Sequence, residues 1–121
     1  MSAPRAVAGR RRWLPTLAVV AVIGHLLALY LPGSDLPPTG PPGLDKVVHV
    51  ALFAVPTALL IWWTGRRRLV VCAFAVHAVV SELVQGYVIP NRSLEALDML
   101  ADVVGIGLAW SVTGRSRSPA A

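Results

Sequence analysis

Four apolar runs divide the chain: Trp13 to Leu31, Lys46 to Trp63, Leu69 to Val88 and Ala96 to Val112. Short polar, Arg-rich or Pro/Gly-rich stretches separate them. Each run has about 17 to 20 residues, the length at which a helix crosses a hydrocarbon layer ~30 Å thick. None carries the broad polar face of a surface helix in a soluble bundle. The pattern predicts an all-α fold, an integral membrane bundle of four transmembrane helices at 13–31, 46–63, 69–88 and 96–112. The helical domain spans 13–113, and polar tails at 1–12 and 114–121 are expected to be flexible.

Breaker residues refine this outline. Pro15 suits the first turn of helix one, where its missing N–H is harmless. Pro56 falls in the middle of helix two and predicts a kink. The first loop, "PGSDLPPTGPPGL", reads as extended, and "TGRRR" as a tight hairpin. In the third connection, "GYVIPNRSLEA", Ser93 is a candidate N-cap for helix four. Gly105 and Gly107 read as close-packing positions between helices.

Composition agrees with the pattern. The 121 residues are 55% hydrophobic and 14% charged, with mean hydropathy +0.65. A net charge of +5 would suit nucleic acid, but the basic residues are placed for a membrane. Arg5, Arg10, Arg11, Arg12, Arg66, Arg67, Arg68, Arg115 and Arg117 fall on one side if the runs alternate; only Lys46 and Arg92 fall on the other. The positive-inside rule therefore puts both termini in the cytoplasm. Trp13, Trp62, Trp63 and Trp110 lie at inner ends, Tyr30 and Tyr87 at outer ends, as headgroup-depth aromatics do. Arg66, Arg67 and Arg68 are expected to set topology and touch anionic lipid. "GRRRWLP" reads as a retained signal-anchor rather than a cleaved leader, because the apolar run is long and no small-x-small site follows. Cys72, the single cysteine, excludes an intramolecular disulfide and reads as a small packing residue.

The polar groups inside the runs share one layer. His49, Glu82, Gln85, Asp98, Asp102 and His25 all lie within about 10 Å of the outer helix ends at ~1.5 Å per residue. Lys46 and His49 are three apart, Asp45 and His49 four, and Glu95, Asp98, Asp102 and Gly105 form one stripe of helix four. A carboxylate facing lipid is costly, so Glu82, Asp98 and Asp102 should face inward, towards Lys46, Arg92 and histidine. His25 and His77 read as helix-packing residues.

"DKVVHVALFAV" resembles the D-K-x-x-H-x-x-x-[FY] motif of the VanZ-like family. "SELVQGYVIPNRSLEALDMLADVVGIGLAW" resembles its second signature, E-x-x-Q-x-x-x-x-x-R-x-x-x-x-x-D-x-x-x-[ND]-x-x-G. The resemblance covers about Leu44 to Trp110 and implies four helices. It places Asp45, Lys46, His49, Glu82, Gln85, Arg92, Asp98, Asp102 and Gly105 at motif positions. It also implies a bacterial plasma membrane and a link to resistance against glycopeptides such as teicoplanin. Asp102 stands where the family commonly has Asn.

The resulting expectation is an outward-facing polar pocket formed by Asp45, Lys46, His49, Glu82, Gln85, Arg92, Asp98 and Asp102. It would bind a lipid headgroup, a cell-wall precursor or an amphiphilic antibiotic, with no nucleic acid, cofactor or metal. A structural network is the competing reading, with Arg92 on Asp98 or Glu82 and Lys46 on Asp45 or Asp102. A membrane enzyme is the other, with His49, Glu82 and Asp98 as acid–base candidates, or His49, Glu82 and Asp102 around a metal. No nucleophile motif supports catalysis. Crowded carboxylates in a low dielectric cannot all ionise uncompensated, and without a metal Asp102→Asn is expected to be tolerated.

Overall fold

The computed structural model describes residues 3–32, 41–91 and 94–115. It is all-helical among those residues: α1 (Ala3–Tyr30), α2 (Leu44–Thr64), α3 (Arg67–Tyr87) and α4 (Ala96–Arg115). Each contains a segment long and apolar enough to span a membrane, at Arg12–Tyr30, Leu44–Thr64, Arg67–Tyr87 and Ala96–Gly114. The predicted helices are all present, with ends that differ. Helix α1 begins before residue 12, so residues 3–12 continue the helix instead of forming a loose tail. Their Ala and Arg residues are strong helix formers, and Pro15 consequently sits inside the helix rather than in its first turn. Ser93 lies outside the described residues.

Backbone geometry at the turns follows residue type. Gly43 precedes α2 at φ 85° and Gly65 follows it at φ 71°, a region costly for any residue with a Cβ. The Gly65 N–H donates to the Ile61 carbonyl at 2.8 Å, closing α2. Only Gly65 and Arg66 then separate α2 from α3, so the two run antiparallel.

The helices form a ring in the order α1, α2, α4, α3. Helix α2 packs most extensively on α4, next on α1, whereas α1 and α4 do not touch among the described residues. Helices α2 and α4 run parallel, with His49 opposite Asp102 and Phe53 opposite Gly105. A Cβ on Gly105 would collide with the Val50 carbonyl oxygen and lie 3.0 Å from the Ala54 nitrogen. Gly105 is therefore a contact position, as small residues between membrane-type helices usually are. Gly107 is not, because nothing lies within 4 Å of its Cβ position. It is two residues on, about 200° round the helix, and faces outward.

The core is a short stack of Leu29, Phe53, Ile61, Val70, Phe74, Ala78 and Ile106. Within it, Pro56 and His25 solve one problem together. Pro56 lies inside α2 and has no N–H to give the Leu52 carbonyl four residues earlier. The His25 ring of α1 supplies that bond, Nδ1–H donating to Leu52 O at 2.7 Å. A carbonyl only accepts, which fixes Nδ1 as the protonated nitrogen. The ring packs edge-on against Phe53 at 4.7 Å and Phe74 at 5.5 Å. His77 lies beside it, with Nδ1 3.4 Å from the Tyr30 hydroxyl. Both histidines thus serve helix packing.

At the arginine-bearing end, Arg67 turns inward. Its guanidinium carbon lies 3.4 Å from the Trp110 ring centroid, and Nη2 donates to the Trp110 carbonyl at 2.5 Å. Arg66 and Arg68 are exposed, whereas Arg67 is partly buried because its guanidinium stacks on an indole face. Cys72 is exposed, not packed. It lies on the outer face of α3, where small size is not required.

Candidate functional site

The start of α2, the end of α3 and the start of α4 meet at the opposite end of the bundle. Asp45 and Asp98 occupy first turns of their helices, where unpaired N–H groups and the helix dipole favour negative charge. The Lys46 ammonium lies between three acids. Nζ donates to Asp45 Oδ2 at 2.7 Å, Glu95 Oε2 at 2.7 Å and Asp98 Oδ1 at 2.5 Å. It joins α2 to α4 and to the residue preceding α4. The side chain of Asp45 is 64% exposed and that of Asp98 13%, so the cluster runs from surface to interior.

One turn deeper lies the second cluster. His49 Nδ1 is 2.8 Å from Asp102 Oδ1, and its Nε2 is 3.7 Å from Asp98 Oδ2. Glu82 and Asp102 are 0% exposed. The Glu95 backbone N–H donates to Glu82 Oε2 at 3.3 Å, holding the residues before α4 against α3. Glu82 Oε1 and Asp102 Oδ2 are buried and have no hydrogen-bond partner among the described residues. A buried acceptor left this way is costly.

Asp45, Lys46, His49, Glu82, Asp98 and Asp102 are therefore brought together, and one expected member, Gln85, is not. Gln85 is buried but turns to α1, where Nε2 donates to the Leu29 carbonyl at 2.8 Å. It ties α3 to α1 because position 85 lies beyond the face that Glu82 presents to α4. His25 stays with the aromatic core, so three helices and not four contribute to the polar layer. Arg92 lies outside the described residues. The pairing of Lys46 with Asp45 is present; a pairing with Asp102 is replaced by Glu95 and Asp98. Glu95 is the member missed in the sequence reading of the site, although its place at the head of the Asp98–Asp102 stripe was the available signal.

In chemical terms the layer is rich in acceptors. Its one lysine is fully engaged, and both ring nitrogens of His49 face carboxylates. Only Nδ1 is within hydrogen-bond distance of its carboxylate; Nε2, at 3.7 Å from Asp98, is not, so the His49–Asp102 pair has the form of an acid–base dyad. No family model, curated protein or solved structure matches the chain.

Proposed function

We propose that the chain is a multi-pass membrane protein of the VanZ-like kind, in a bacterial plasma membrane with both termini cytoplasmic. Its acid-lined end faces outward and binds a polar group of a cell-envelope ligand. Support for the membrane comes from inverted burial. Large apolar side chains such as Val20, Ile23, Leu27, Val76, Leu100 and Leu108 are exposed, while His25, Thr57, Ser81, Glu82, Gln85, Asp102 and Thr113 are buried. Water would penalise that outer surface and lipid accepts it. The observation that carries the binding reading is the pair of unpartnered oxygens on fully buried Glu82 and Asp102. Among the described residues His25, Thr57, Arg67 and His77 also keep an unpartnered buried atom, but an acidic group left so inside an apolar bundle is the costlier case. The complementary group is a donor or a cation on a lipid headgroup, a wall precursor or an amphiphilic antibiotic. An enzyme reading has less support, because no nucleophile motif accompanies the His49–Asp102 pair.

The test is teicoplanin susceptibility of a sensitive Gram-positive host expressing the chain. Expression raises the inhibitory concentration, and His49→Ala and Glu82→Gln each remove the increase while accumulating in the membrane as the parent does. An unchanged inhibitory concentration with the parent chain overturns the resistance role. Failure of both variants to accumulate assigns the two residues to packing, where breaking a buried pair costs ~3–5 kcal/mol.

A further inference from the structure

Two groups of three ligand-type side chains adjoin at the acid-lined end: Asp45, Glu95 and Asp98, and His49, Glu82 and Asp102. In each, one potential ligand atom from every member lies within 4.8 Å of the others. The first group carries its own cation, since the Lys46 ammonium touches all three carboxylates at 2.5–2.7 Å. The second is deeper and differently provided. Asp102 pairs with His49 alone, and Glu82 makes no ion pair among the described residues. Both carboxylates are fully buried, and each keeps one unpartnered oxygen, Glu82 Oε1 and Asp102 Oδ2. One imidazole, itself slightly exposed, is thus set against two buried carboxylates.

We infer that His49, Glu82 and Asp102 bind a divalent cation. The Lys46 group shows what the fold does with three convergent ligands: it places a positive charge among them. In the deeper group no lysine occupies that position, and two carboxylates balance one divalent ion. The 2.8 Å separation of His49 Nδ1 and Asp102 Oδ1 is that of a hydrogen bond. It also approaches the spacing of neighbouring ligands on one cation, about 3 Å for octahedral bonds near 2.1 Å. One nitrogen and two carboxylate oxygens suit Mn²⁺ or Zn²⁺ better than Ca²⁺, which prefers an all-oxygen shell. Three protein ligands leave coordination positions for water or for an oxygen of the envelope ligand. The expectation of a site without metal rested on crowded carboxylates not all ionising; Lys46, held by Asp45, Glu95 and Asp98, is not available to the deeper pair.

The inference rests on the proposed function only for the outward placement of the site, and its test uses purified protein. The full chain in detergent is stripped with chelator, titrated with Mn²⁺ or Zn²⁺, desalted and assayed for bound ion, with Tm as a second readout. One ion per chain and a rise in Tm are expected. His49→Ala, Glu82→Gln and Asp102→Asn each weaken binding at least about tenfold, while His77→Asn retains the ion. Glu82→Gln keeps the side chain's shape, so the test stands if His49→Ala does not fold. Absence of stoichiometric binding of either ion to the parent chain overturns the inference, as does parent-like binding by all three cluster variants. A parent chain that binds no ion yet still raises teicoplanin tolerance sinks the cation site alone. An ion-binding chain without that phenotype sinks the resistance role alone.

Discussion

Substituting His25→Leu tests whether the imidazole replaces the donor that Pro56 lacks. The Leu52 carbonyl has no N–H from Pro56 and receives one from His25 Nδ1 at 2.7 Å. Removing a partner from a buried acceptor costs ~1–3 kcal/mol, whereas hydrogen bonds between membrane helices average only ~0.6 and reach ~1.7 kcal/mol. This bond belongs at the upper end, because α2 cannot supply its usual i+4 substitute. Pro56→Ala restores that substitute. In the Pro56→Ala background, His25→Leu should therefore cost about 1.5 kcal/mol less than in the parent. The loss of ring packing against Phe53 and Phe74 occurs in both backgrounds and largely cancels in the double-mutant cycle. Unfolding in mixed micelles with increasing dodecyl sulfate, followed by tryptophan fluorescence, gives the four free energies. Additivity within ~0.3–0.5 kcal/mol would refute the coupling.

Two further substitutions probe packing by the same assay. Gly105→Ala pushes a methyl into the Val50 carbonyl, which cannot rotate away, and should destabilise by ~1–3 kcal/mol; Gly107→Ala meets open space and should be neutral or slightly stabilising. Equal stability of the two variants would contradict the parallel α2–α4 contact. Arg67→Ala loses the Trp110 stack and a hydrogen bond and should cost ~1–2 kcal/mol, against ~0.5 kcal/mol or less for the outward-facing Arg66→Ala or Arg68→Ala. A flat series across the three arginines would show that the inward turn contributes nothing.

Helix number and placement were legible in the sequence because hydropathy acts over whole runs, and short breaks at Gly43 and Gly65 punctuate them. The site was legible as far as helical spacing reaches. Lys46 and His49 share a face of α2, and Asp98 and Asp102 share one of α4, so their meeting follows once α2 and α4 are parallel neighbours. Which helices are neighbours is not in the spacing. Gln85, three residues from Glu82, was for that reason assigned to the same wall, although α1 and not α4 faces it. His25 was read as a packing residue at the depth of the site, but its hydrogen-bond acceptor was not identified. The sign that would have settled it was Pro56, which orphans the carbonyl of Leu52. Arg67 escaped because a topology-setting arginine and an indole-stacking one look alike until Trp110 is brought beside it.

The central claim is that the acid-lined end of a four-helix membrane bundle faces outward and the arginine end faces the cytoplasm. Cys72 is the only native cysteine, so Cys72→Ser gives a clean background for single cysteines at each end. Asn91→Cys and Pro41→Cys, in the turns flanking the acidic layer, should react with a membrane-impermeant maleimide on intact cells. Arg66→Cys should react only after lysis. Labelling of Arg66→Cys from outside, with Asn91→Cys and Pro41→Cys protected until lysis, would invert the bundle and contradict the account.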